Sequence, residues 1–306
     1  MKFSIKGIFN FIKQSFTKWS DDKAPKLGAA LSYYTIFSIA PLLVIAISVA
    51  GLIFGQDAAQ GRVVLQLQGL LGHDGAQFVQ DALKNSSDVK TGIIAGIASV
   101  VTLFIASTAV FIELQDSLNM IWGVKPKPVK NFVTDFMKKR VISFAIVVGI
   151  GFLLLVSLLV SAVISALNDY VAEKFVAVPL IVLHIFNIVF SLAVIFTMFA
   201  MIYKVLPDAH IEWRDTWFGA GVTSVLFVLG KFLIGLYIGR SSYSSTYGAA
   251  GSLIIVLVWV YYSAQILFLG AEFTQVYADK YGSGIRPTKD AVPLENCEPE
   301  VNFKKS

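Results

Sequence analysis

The sequence predicts an all-α polytopic membrane protein with six spanning helices and both termini in the cytosol. Three observations carry that expectation. Only 15% of the 306 residues are charged and the mean hydropathy is +0.71, whereas soluble domains are about 25% charged. Six apolar runs, at 28–54, 91–112, 141–167, 178–203, 216–239 and 251–277, each suffice to cross a ~30 Å hydrocarbon core, which takes roughly 20 residues. Lys and Arg fall in alternate connections, and that bias orients the chain. Each run must be helical, because lipid offers backbone groups no hydrogen-bond partner.

Residues 1–26 precede the first run. Ile5, Ile8, Ile12, Phe16 and Trp19 recur at helical spacing among Lys2, Lys6, Lys13 and Lys18. This pattern is a basic amphipathic helix suited to an anionic membrane surface; packing on the protein's own cytosolic face would suit it as well. No cleavable signal pattern precedes it. Residues 27–280 form the membrane domain. Within it the outer segment 56–90 reads as two short amphipathic helices joined at Gly72–Gly75. The tail, 281–306, carries Pro287, Pro293 and Pro299 and reads as disordered.

The basic residues gather before the first span, over 125–140, at Lys204 and Arg214, and beyond Ala278. Nineteen of the 25 Lys and Arg lie there. The alternate connections hold only Arg62, Lys84, Lys90, Lys174 and Arg240, and Lys231 is left inside a span. In a membrane chain the net charge of +5 therefore reports orientation, and no nucleic-acid partner is expected. Cys297 is the only cysteine, so no intramolecular disulfide or thiolate metal site can form.

Polar residues concentrate where three spans enter the cytosolic leaflet. The first span places Tyr33, Tyr34 and Ser38 there, and Pro41 removes a backbone donor near its middle. Glu113 ends a polar face of the second span. In the sixth, Tyr261, Gln265, Glu272 and Gln275 share a stripe. Two readings stand. One is a polar cleft open to the cytosol, with Tyr33, Tyr34, Ser38, Pro41, Glu113, Gln265 and Glu272 as candidate substrate-binding residues. The other is a tight helix seam, where small and hydroxylated residues permit close packing. Lys231 lies toward the outer side, roughly 20 Å from Glu272 in depth. It suits either an anionic headgroup or simple snorkelling.

The stretches "LGAALSYYTIFSIAPLL" (27–43), "LNMIWGV" (118–124), "LPDAHIEWRDTWFGA" (206–220), "GKFLIGLYI" (230–238) and "YGAAGSLIIVLVWVYYSAQILFLGAEFTQVYA" (247–278) resemble the YihY/BrkB family of bacterial inner-membrane proteins. The resemblance covers nearly all of residues 20–280. It implies six spans, cytosolic termini and an inner-membrane location, and it supplies no catalytic residue. Family members have carried the label ribonuclease BN, and a role in moving lipids or lipid-linked precursors is one suggestion.

The nuclease label finds no support in the residues. His73, His184 and His210 fall on different sides or depths of the expected topology, and no metal-binding His spacing or phosphate loop occurs. No metal, cofactor or catalytic residue is expected. The chain reads as a transporter or flippase for a lipid-like or amphipathic anion in envelope biogenesis, with membrane lipids as partners. A non-transporting scaffold for envelope assembly is the alternative. Glycine spacings such as Gly235 and Gly239 leave a homo-oligomer open.

Overall fold

The computed structural model describes residues 5–87, 93–127, 141, 149, 178–240 and 249–294. In chain order the helices are α1 (Ile5–Asp21), α2 (Ala24–Phe54), α3 (Gln56–Ser87), α4 (Ile93–Ile121), α5 (Val178–Val205), α6 (Trp213–Arg240) and α7 (Ala249–Tyr281). Four short strands join them. These are β1 (Val124–Pro126), β2 (Ala209–His210), β3 (Arg286–Pro287) and β4 (Ala291–Pro293).

Among the described residues four helical stretches are long and apolar enough to cross a membrane: Ala24–Val44, Ile188–Val205, Trp213–Tyr237 and Ala250–Tyr281. The second expected span is also helical, as α4. The third, 141–167, lies outside the described residues apart from 141 and 149. Outward faces of the spans are apolar, as lipid requires: Ile185, Ile188 and Val189 on α5, and Leu229, Phe232 and Leu233 on α6, are exposed.

Helices α6 and α7 run antiparallel and interlock. Thr274 of α7 fills the space above Gly219 of α6, and Thr223 of α6 fills the space above Gly270 of α7. Each glycine stands four residues before its own helix's threonine, so the two contacts are one motif used reciprocally. Further along, Tyr262 and Ile266 pack on Gly230. The hydroxyls do not compete with packing, because each donates back into its own helix: Thr223 to the Gly219 carbonyl at 2.7 Å and Thr274 to the Gly270 carbonyl at 2.8 Å. Tyr203 of α5 adds a third helix. Its fully buried hydroxyl lies 2.9 Å from the Thr223 hydroxyl and donates to the Leu267 carbonyl at 2.7 Å.

Two apolar clusters flank this seam. One surrounds Trp122, Phe199, Tyr203, Leu206 and Phe268, near the strands. The other joins α3 to the far half of α2 and the start of α7 through Ile47, Leu71, Val79, Val256 and Val260. Helix α3 is bent at Gly72, whose φ of 74° and ψ of -179° leave the helical region. Glycine reaches that conformation without the clash a Cβ would bring.

At the opposite end β1 pairs antiparallel with β4, and β2 with β3. The expectation of disorder beyond Tyr281 is therefore corrected over 282–294. Strands this short carry no readable alternation, and their prolines mimic a linker. Residues 295–306 lie outside the described residues. The pairing gathers the α4 exit, the α5–α6 connection and the segment after α7 at one strand-bearing end, where Lys18 of α1 also meets Asp279 of α7.

Substituting alanine at Gly219 or Gly270 should lower thermal stability in detergent, by about 1–3 kcal/mol for overpacking. Gly235 is the control: a Cβ there meets nothing within 4 Å among the described residues, so Gly235→Ala should be neutral or stabilising by up to about 1 kcal/mol. Equal effects at all three positions would refute the interlock.

Candidate functional site

The site is built on a stripe of α7. Gln265, Glu272 and Asp279 are spaced by seven residues, so they share one face. Gln265 lies against Gly28, where a Cβ would collide with it, and its Nε2 donates to the Ala24 carbonyl at 3.4 Å. At the other end of the stripe, Lys18 of α1 pairs with Asp279 at 3.3 Å. Glu272, midway, faces the turn between α1 and α2. Its carboxyl group comes within hydrogen-bonding reach of the Asp22 carboxyl.

Local sequence explains the turn. Helix α1 ends as Asp22 N–H donates to the Lys18 carbonyl at 2.8 Å, and Lys23 takes a left-handed φ of 55°. The chain then reverses directly into α2. Phe11 anchors α1 by stacking on Phe273, centroids 5.5 Å apart, and by an edge contact to Phe218 at 6.0 Å.

Glu272 is completely buried, and among the described residues neither carboxyl oxygen meets an N–H or O–H donor. Its charged neighbours are Asp22, Lys18 and Asp21. Asp22 is half-buried. That burial raises its carboxyl above the usual carboxylate value, opposed by the Glu272 contact and the Lys18 charge and reinforced by Asp21. Such an arrangement can store a proton, since two facing carboxylates have only acceptors to offer each other. Among the described residues no group of three or more His, Cys, Asp or Glu is arranged to hold a metal ion.

The other sequence candidates lie elsewhere. Ser38 and Pro41 are buried, and Pro41 sits inside a continuous α2. Tyr33 and Tyr34 are exposed and pack edge-on at 5.8 Å, and Phe37 extends the cluster at 5.0 Å from Tyr33. Glu113 is half-buried beside the charge of Asp116. Lys231 is exposed on α6 between apolar neighbours. Of the candidates, Gln265 and Glu272 share the α7 stripe, while Tyr33 and Tyr34 form a separate outward patch.

Sequence reasoning missed Asp22, which reads locally as a solvated turn in "SDDK". It also missed a polar hub at the strand-bearing end. Asp208 N–H donates to Asn119 Oδ1 at 2.8 Å, while Asn119 Nδ2 and Gln115 Nε2 donate to the Asp208 carboxylate at 2.9 and 3.2 Å. The Asp208 carbonyl accepts from Thr288 N–H at 3.0 Å. Trp122 Nε1 donates to the Ala271 carbonyl at 3.3 Å. Gly123, at φ 63°, ends α4 and accepts from Leu294 N–H at 2.8 Å. Asn119 and Asp208 lie in "LNMIWGV" and "LPDAHIEW", and their side chains serve structure.

The fold defines a multi-pass α-helical membrane protein. The profile of the family described as Virulence factor BrkB matches residues 15–295, and the chain belongs to that family. A relative named UPF0761 membrane protein, from Verminephrobacter eiseniae, is 31% identical over 262 residues, 82% of this chain and 59% of its own length. One from Ralstonia nicotianae is 27% identical over 256 residues, 82% of this chain and 55% of its own. Another, from Tolumonas auensis, is 27% identical over 263 residues, 83% and 80% of the two chains. The chain thus spans less than two thirds of the first two relatives. No solved structure matches it.

The Asp208 hub should show coupling. Asp208→Ala or Asn119→Ala alone leaves buried polar partners unpaired, costing about 1–3 kcal/mol. The double variant should cost less than the sum of the two. A double-mutant cycle by thermal unfolding in detergent checks this, and strict additivity would dismiss the hub.

Proposed function

We propose that the protein moves a lipid-like or amphipathic anionic substrate across the bacterial inner membrane in envelope biogenesis, and that it performs no catalytic step. One observation carries this reading: Glu272 is a fully buried carboxyl group in a membrane helix, unmet by any donor among the described residues. Placing an ionisable group there is costly, and such groups in spans commonly mark substrate or ion pathways. Packing alone would be served better by an apolar residue. Two surface features fit an amphipathic substrate. The Tyr33–Tyr34–Phe37 patch combines apolar rings with hydroxyls at the same half of α2. Lys231 offers an exposed cation on a lipid-facing helix, where an anionic headgroup would meet it.

In this reading the strand-bearing end faces the cytosol, because the described basic segments 5–26, 125–127, 204–214 and 280–289 gather there. Helix α1 then lies at an anionic leaflet. Ile8, Phe9, Ile12 and Phe16 are exposed, while Phe11 and Lys18 hold the other face to α7.

A specific observation favours the scaffold reading as the alternative. Ser32 and Thr35 donate to carbonyls of their own helix, at 2.7 Å each, and Gln265 is engaged in packing. These polar groups are thus committed to the seam, with no need of a solute.

Reconstitution into liposomes containing anionic lipid separates the two. Lipid scrambling or anion flux should be present in the wild type and fall about tenfold or more in both Glu272→Gln and Lys231→Ala, equivalent to about 1.4 kcal/mol on the barrier. Absence of flux across candidate lipids and anions would favour the scaffold.

A further inference from the structure

We propose that Asp22 and Glu272 form a proton-binding site, in which one proton held between the two carboxyl groups fastens the α1–α2 turn to α7. The α7 stripe places them together. Gln265 reaches Ala24 and Asp279 reaches Lys18, so the residue midway between them faces the turn. Glu272 has no solvent exposure, and among the described residues both its oxygens lack a donor. Two carboxyl groups in hydrogen-bonding reach can bond only if one carries a hydrogen.

Other donors do not take that role. Lys18 Nζ is 3.3 Å from Asp279. The indole N–H of Trp19 on α1, three residues before Asp22, is itself buried and without a partner among the described residues. Charges on the neighbouring elements are accounted for in the same way. Asp21 of α1 adds a like charge to the pair. Lys23 and Lys26 at the start of α2 are exposed. Glu113 and Asp116 of α4 act on each other, and Asp215 of α6 lies 3.8 Å from Arg214.

When the proton leaves for solvent, two carboxylates face each other, one fully buried and one half-buried. Their repulsion loosens the turn. Burial raises the Asp22 carboxyl above the ordinary 3.8, so the folded state keeps a proton that the unfolded chain releases. Stability from this site is therefore full below that ordinary value and is lost as pH rises through the folded value. The inference stands apart from the transport reading, since none of its tests reads flux.

The full-length protein in lipid nanodiscs supplies the test. Infrared spectroscopy at neutral pH should show a protonated-carboxyl C=O band that Glu272→Gln abolishes and Asp22→Asn shifts. Hydrogen exchange over residues 18–24, corrected for intrinsic pH dependence, should accelerate with rising pH in the wild type. Both amide variants should remove that acceleration, because an amide N–H supplies the missing donor without titrating. A band unchanged by Glu272→Gln would overturn the proposal. So would turn exchange with the same pH dependence in all three proteins. Sensitivity of the band to sodium ions at fixed pH would overturn it in favour of a cation site.

Discussion

Close approach of α6 and α7 is the constraint on which the rest of the structure depends. In lipid no hydrophobic force drives two apolar helices together, so packing and interhelical polar contacts must do so. Gly219 and Gly270 let Thr274 and Thr223 enter the opposite helix surface. The threonine hydroxyls are satisfied within their own helices, so the seam places methyl and hydroxyl groups close together without an unmet donor. Tyr203 then uses the Leu267 carbonyl and the Thr223 hydroxyl to bring α5 onto the same seam. With α7 held in this way, its other faces become a fixed template for α1, α2 and α3.

The strand-bearing end extends that logic to segments that lipid cannot organise. Asp208 bonds α4 through Asn119 and Gln115, and its carbonyl receives Thr288 from the chain beyond α7. Arg214 Nη2 donates to the Tyr281 carbonyl at 2.6 Å, meeting one of the last acceptors of α7, which the helix itself leaves open. Lys204 bonds the Ile211 carbonyl and lies over the Trp213 ring, 5.4 Å from its centroid. Connections far apart in sequence are thereby tied at one level, and the ends of the spans are fixed in relation to each other.

How far the sequence disclosed this can be judged residue by residue. Apolar runs locate α2, α4, α5, α6 and α7 because lipid imposes length and composition directly on sequence. Glu272 stood out for the same reason: an acid in an apolar run is conspicuous. Asp22 did not, because its partner lies 250 positions away and its local surroundings suit a solvated turn. Asn119 and Asp208 were likewise hidden, since hydrogen bonds across the chain leave no periodic mark. The strands after Tyr281 were read as disorder because two or three residues with prolines present no alternation. Polar residues of the first span were legible as a group, but their division was not. Helical geometry turns Ser38 inward and Tyr33 outward, and only the packed neighbours decide which face is which.

The position of Glu272 matters because α1 touches two environments. One face of α1 is pinned to α7 by Phe11 and Lys18, and the other exposes Ile8, Phe9, Ile12 and Phe16. A buried acid at the hinge of such a helix would be a poor choice for rigid packing, since a leucine of similar size would need no donor. It serves better where attachment must respond to a change in charge. The ion pair between Lys18 and Asp279 is partly exposed and contributes little by itself. Aromatic stacking of Phe11 does not vary with pH. Among these contacts, the Asp22–Glu272 pair alone can alter its sign of interaction, from a shared hydrogen bond to repulsion, through loss of a single proton. Any coupling between the surface helix and the membrane helix it rests on therefore has its physical basis at that pair.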